Sequence, residues 1–101
     1  MKAFQVTYQV REEYIEENKA NIRKVMSKLR AEPNEGMMYS TYTTGDGSNF
    51  VHINIAKNQE AIDALNQQEE FTAFRIALKA SSPIVPPSSI DLNLVDAGFE
   101  L

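Results

Sequence analysis

His52 is the only histidine of this 101-residue chain, and there is no cysteine. It is therefore the one side chain whose ordinary pKa lies near neutrality. It stands in the segment Asn49–Ala56, where Phe50, His52, Asn54 and Ala56 alternate with Val51, Ile53 and Ile55. An imidazole next to a carboxamide on one strand face can take a phenolic proton or hold an anionic intermediate. The competing reading is a histidine making ordinary hydrogen bonds at a subunit interface. Tyr8, Tyr39 and Tyr42 could orient an aromatic ligand, because a phenol has an apolar body and a polar tip; singly, each also serves as packing. Tyr39 and Tyr42 fall on opposite faces of their strand, so only one can meet a cavity. No metal site is expected, since one histidine with Asp91 and Asn93 on a non-adjacent strand gives no ligand spacing. No serine has the second histidine or glycine elbow that nucleophilic catalysis needs. The loop Gly45-Asp46-Gly47 runs from strand to strand and lacks the helix N-terminus of a phosphate site.

The elements that must position these residues follow from periodicity. Residues 3–10 alternate strictly, with Phe4, Val6, Tyr8 and Val10 on one face and Gln5, Thr7 and Gln9 on the other, the mark of a half-buried strand. From Glu12 to Ala31 the period is helical, with Ile15, Ile22, Val25, Met26 and Leu29 on one stripe that Asn18 interrupts. Glutamates crowd its first turns and basic residues its last, which suits the helix dipole, so the basic end reads as a solvated terminus. Pro33 and Gly36 end it. Met37–Thr44 and Asn49–Ala56 form a hairpin around two glycines. Asn58 caps a second helix that breaks near Asn66–Glu70 and resumes with Phe71, Phe74 and Leu78. Residues 81–89 read as a stiff proline-rich connector, and Ile90, Leu92 and Leu94 as a last strand.

The order β-α-β-β-α-β predicts an α+β, ferredoxin-like fold with a four-stranded antiparallel sheet, as one domain over residues 1–101. On this reading Phe4, Val6, Tyr8, Val51, Ile53, Ile55, Ile90, Leu92 and Leu94 face the helices. Gln5, Thr7, Phe50, His52, Asn54, Asp91 and Asn93 share the helix-free face.

Composition narrows the function. A chain of this size buries roughly two-thirds of its unfolded surface, enough for one thin core, so a second subunit is expected to help wall any pocket. The formal net charge of −4 argues against nucleic acid, whose binding rests on neutralising phosphates. An RNA-recognition domain shares the element order, but Gly47–Ile53 lacks the basic and leading aromatic residues of that motif. The N-terminal segment has no apolar run long enough for a signal peptide or a membrane span, so a cytoplasmic protein is expected.

The stretch from Gly36 to Phe74 resembles the antibiotic biosynthesis monooxygenase family of dimeric α+β barrels. The matching pattern is Gly36 before the second strand, Phe50-Val51 opening the third, Glu60-Ala61-Ile62-Asp63-Ala64 on the helix, and Phe71 and Phe74 after it. The resemblance implies a homodimer whose sheets pack by their helix-free faces and wall a cavity. It also implies oxidation of a small aromatic or quinol-like compound by oxygen without a cofactor. Members commonly carry a glutamate and a tryptophan where this chain has Asn54 and Ala56, and Leu65 stands where a helix histidine is frequent. Without that histidine, haem degradation is not expected. Taken together, His52 and Asn54 are the expected catalytic pair, and Gln5, Thr7, Phe50, Tyr42 and Asn93 the expected substrate contacts. The alternative is a non-catalytic small-molecule-binding or structural dimer of the same fold.

Overall fold

The computed structural model describes residues 1–101. Its strands are β1 (Lys2–Gln9), β2 (Met37–Thr44), β3 (Asn49–Ala56) and β4 (Val85–Leu92); its helices are α1 (Ile15–Ala31), α2 (Gln59–Asn66) and α3 (Glu69–Ala80). A 3-10 turn, Glu12–Tyr14, leads into α1. The sheet is antiparallel in the order β2-β3-β1-β4. This is the expected ferredoxin-like arrangement.

Local chemistry sets the boundaries. Gly45 and Gly47 take φ values of 64° and 92° in the β2–β3 loop, a region other residues enter at a cost. Asp46 ties that loop by accepting from the Ser48 backbone N–H and hydroxyl. Asn58 caps α2, accepting from the Ala61 N–H at 3.0 Å. The polar run after Leu65 splits the second helical region into α2 and α3, as its composition predicts.

The last strand differs from the expectation. It begins at Val85, inside the proline-rich run, and ends at Leu92, so Asn93 and Leu94 lie beyond it. Pro86 and Pro87 are tolerated because β4 is an edge strand and because its pairing with β1 shifts register there: Thr7 faces Ser88 and Gln9 faces Val85. Two prolines without N–H groups thus oppose Tyr8 in a bulge, where no ladder bond is missing.

The register also corrects the assignment of faces. Phe4, Val6 and Tyr8 lie opposite Asn54, His52 and Phe50, and opposite residues share a face. Phe50, His52 and Asn54 are buried at 1%, 4% and 1% exposure, beneath the helices. Phe50 belongs to the same core cluster as Tyr8, Val25, Leu65, Phe74 and Leu78. Val51, Ile53 and Ile55 instead share the helix-free face with Gln5 and Thr7, with Ser40 and Tyr42, and with Ile90 and Leu92. Choosing the more aliphatic set of β3 as the buried one shifts every side chain to the wrong side. The choice failed because both faces of this sheet are largely apolar.

Two substitutions probe this packing. Phe50→Ala is expected to cost about 3–5 kcal/mol, the range for emptying a buried aromatic site, and Asn58→Ala about 1 kcal/mol through the lost cap. Urea unfolding followed by circular dichroism measures both. A Phe50→Ala cost below that of Asn58→Ala would refute the face assignment.

Candidate functional site

His52 sits in the middle of β3, where neighbouring strands put hydroxyls on both sides of the ring. Its Nε2 is 2.7 Å from the Tyr8 hydroxyl on β1. Its Nδ1 is 2.7 Å from the Tyr39 hydroxyl and 3.0 Å from Thr41 Oγ1, both on β2. The register dictates this: Thr41 and Val6 are the direct partners of His52 across the ladders, and Tyr39 and Tyr8 lie two residues along on the same face. From α1, Asn18 donates its Nδ2 hydrogen to the Tyr8 oxygen at 2.9 Å. The polar residue that breaks the α1 stripe is therefore a fully buried member of the same chain of hydrogen bonds.

One assignment of hydrogens has Tyr8 accept from Asn18 and give its own hydrogen to Nε2, with the ring hydrogen on Nδ1, towards Tyr39 and Thr41. Turning the Asn18 amide, whose Oδ1 has no partner, gives the reverse assignment. In the first, the hydrogen of Tyr39 is left free for another acceptor. Rings stack around this line: His52 lies 5.3 Å from Tyr8, 5.8 Å from Tyr39 and 5.5 Å from Phe74 between centroids. Burial lowers the His52 pKa to about 4, so the ring is neutral at physiological pH. Burial likewise raises the Tyr8 and Tyr39 hydroxyls above their ordinary value, which keeps both protonated.

Beside this line is a cavity of about 550 Å³ between the sheet and α2/α3, a volume within the roughly 300–1,000 Å³ of small-molecule sites. The sheet contributes Phe4, Val6, Tyr8, Tyr39, His52 and Asn54; the helices contribute Ile62, Leu65, Asn66, Phe71, Phe74, Arg75, Leu78 and Lys79; the β4 region contributes Pro83, Pro86 and Pro87. The split between α2 and α3 and the β4 bulge thus form part of its wall. Asn54 brings an unsatisfied amide to it. Its Nδ2 reaches only the Met37 sulfur at 3.3 Å, and its Oδ1, buried, has no partner. A buried carboxamide oxygen left bare costs free energy.

This cavity lies within the single chain, on the helix side of the sheet. Of the residues expected to form the site, the structure brings His52 and Asn54 together. Phe50 is on their face but in the core, stacked on Tyr8 at 5.5 Å. Gln5, Thr7 and Tyr42 lie on the opposite face of the sheet, and Asn93 lies past the end of β4, exposed; none of these four lines the cavity. Periodicity did not single out Thr41, Phe71, Phe74 or Arg75 as site residues. Tyr39, not Tyr42, is the tyrosine of β2 that meets the cavity, and Asn18 in an apolar stripe was the signal that a buried polar partner existed. No three or more His, Cys, Asp or Glu side chains are grouped so as to hold a metal ion.

No protein-family model and no curated protein matches the sequence. Solved structures do match, over nearly the whole chain. One described as an antibiotic biosynthesis monooxygenase has a TM-score of 0.79 at 20% identity, covering 95% of this chain and 100% of its own. A candidate antibiotic biosynthesis monooxygenase of Nitrosomonas europaea gives 0.80 at 17% identity, over 95% and 100%. The Rv0793 protein of Mycobacterium tuberculosis gives 0.80 at 18% identity, over 97% and 98%. The fold is that of the antibiotic biosynthesis monooxygenases. The resemblance seen in the sequence thus holds at the level of architecture.

A buried neutral histidine links stability to pH. Its folded pKa of about 4 lies below the unfolded value near 6.5, so between these pH values the unfolded chain binds the extra proton. The contribution is complete above about pH 6.5 and lost as pH falls towards 4, amounting to about 3 kcal/mol. His52→Gln removes it. The difference in unfolding free energy between wild type and His52→Gln is expected to shrink by that amount from pH 7 to pH 4, measured by urea titration. A difference constant over this range would show that His52 is not held neutral by burial.

Proposed function

We propose that the protein is a cofactor-independent, monooxygenase-like enzyme acting on a small aromatic or quinol-like compound bound in the helix-side cavity. The observation that carries this reading is the Tyr39 hydroxyl. It is hydrogen-bonded to His52, kept protonated by burial, and, with the ring hydrogen on Nδ1, left with its own hydrogen to give at the wall of an aromatic-lined cavity. A phenolic or enolic oxygen placed there accepts from Tyr39, which stabilises the ionised form of the substrate. The ring then supplies four electrons to dioxygen in two steps, two as the new C–O bond forms and two as the O–O bond breaks. One oxygen atom forms a new C–O bond and ends as a ring carbonyl; the other leaves as water with the phenolic hydrogen and the hydrogen of the attacked carbon. Per turnover one phenol and one O2 give one quinone and one water.

In this scheme Tyr39 touches the substrate, Asn54 lies in the wall behind it, and His52 is a positioning residue. Both ring nitrogens are already engaged, and a base of pKa about 4 is too weak to strip a phenol directly. The same fact favours the second reading, a non-catalytic binding protein that keeps the cavity without the chemistry. Oxygen uptake separates the two. With a hydroxynaphthalene under air, the enzyme is expected to consume oxygen above the rate without protein and to yield the naphthoquinone. Tyr39→Phe should lower that rate at least about 100-fold, the scale of a lost proton donor. Binding without oxygen uptake would instead establish the second reading.

We also propose that two copies pair by the helix-free face. Met38, Tyr42, Ile90 and Leu92 are exposed there beside the half-buried Val51, Ile53 and Ile55, a contiguous apolar surface of the kind that marks an interaction site. Such a face is the same on both copies and can bury itself against its own image. Light scattering is expected to give twice the 11.4 kDa chain mass, and Ile90→Glu to give the monomer. A wild-type mass of one chain would end this proposal.

A further inference from the structure

Arg75 and Lys79 are the only charged side chains that line the cavity. Both are cationic, in a chain with 14 acidic and 10 basic residues. They lie one turn apart on α3 and both are exposed. Neither is in an ion pair, since the ion pairs of the structure are Lys19–Glu16 and Lys28–Glu32 on α1 and its end. Two like charges four residues apart weaken a helix. Lys79 has an ordinary account, because a cation in the last turn complements the helix dipole. Arg75, in the middle of α3, does not.

The guanidinium of Arg75 is held in place. Its Cζ lies 4.9 Å from the centroid of the Phe71 ring, a cation–π contact, and Phe71 itself packs edge-on against Tyr39 at 6.1 Å. Burial raises the Tyr39 hydroxyl, and the Arg75 charge acts against that rise, so the cation is felt inside the cavity as well as at its rim. Phe4, Val6, Phe74 and Leu78 supply apolar wall, and Asn66 is a further polar lining residue. The site thus combines apolar walls with a cationic pair, Arg75 and Lys79, of which Arg75 is one ring, Phe71, away from Tyr39.

We propose that the ligand of this cavity is a small aromatic carboxylate. Its ring lies against Phe71 and Phe74, and its carboxylate meets the Arg75–Lys79 pair. Arginine presents a planar fork that matches the two carboxylate oxygens, and lysine adds a point charge. The proposal rests on the preceding reading that the cavity takes an aromatic compound, and adds the charge that selects among aromatics.

Isothermal titration with 2-naphthoate and its neutral near-isostere 2-naphthamide tests it. The naphthoate is expected to bind the wild-type protein roughly tenfold more tightly at low salt, the scale of one charge-assisted hydrogen bond. That advantage should shrink at about 0.5 M salt, where exposed charges are screened. In the R75Q/K79Q double variant the affinity ratio should fall to near one. Equal affinities in the wild type, or a ratio that the double variant leaves unchanged, would overturn the carboxylate assignment while leaving an aromatic site in place. Binding of neither compound would overturn both. Circular dichroism checks the fold of the double variant; were it unfolded, the wild-type ratio and its salt dependence would decide alone.

Discussion

A histidine buried under the helices of a thin domain needs a partner for each ring nitrogen, and this requirement organises the centre of the protein. Leaving either nitrogen bare would cost about 1–3 kcal/mol. Tyr8 on one neighbouring strand and Tyr39 with Thr41 on the other meet the need, which ties β1, β2 and β3 together at one level of the sheet. Asn18 extends the line to α1. The strands must hold this register, because a slip of one residue would put the imidazole on the far face and the hydroxyls out of reach.

The cavity exists because the helical layer does not close over this line. A continuous second helix could lay one apolar stripe along the sheet. Here the polar run after Leu65 divides it, and α2 and α3 each bring a separate set of side chains to the wall. On the other side the β4 prolines bend the edge strand opposite Tyr8. The core that remains is small, a cluster of nine buried residues, and the space beside it is lined by the buried rings of Tyr8, His52 and Phe74 and the partly buried Tyr39 and Phe71. It is dry enough to hold His52 neutral.

The sheet separates two kinds of surface. The helix side carries stacked rings and a line of hydrogen bonds through Asn18, Tyr8, His52 and Tyr39. The helix-free side carries aliphatic residues with a few short polar ones, uncovered in the single chain. Such division of labour is unusual for an antiparallel sheet, which commonly has one apolar and one solvated face.

Much of the architecture was legible in the sequence. Alternation in residues 3–10, the helical stripe over Glu12–Ala31, the glycine turn at 45–47 and the polar break near Gln68 are local signals, and each element formed where its own residues favour it. The importance of His52 was legible too, from its type alone. Which side of the sheet it faces was not, because alternation shows that two sets of residues diverge but not which set is covered. With Val51, Ile53 and Ile55 on one side and Phe50, His52, Asn54 and Ala56 on the other, hydrophobicity alone favours the wrong set. Pairing decided it: Tyr8 opposite Phe50 and Val6 opposite His52 placed β3 by contacts more than forty residues apart in the chain, such as Tyr8 to His52 at a separation of 44. A buried histidine is tolerated only where distant hydroxyls meet it, and only the tertiary structure brings them there.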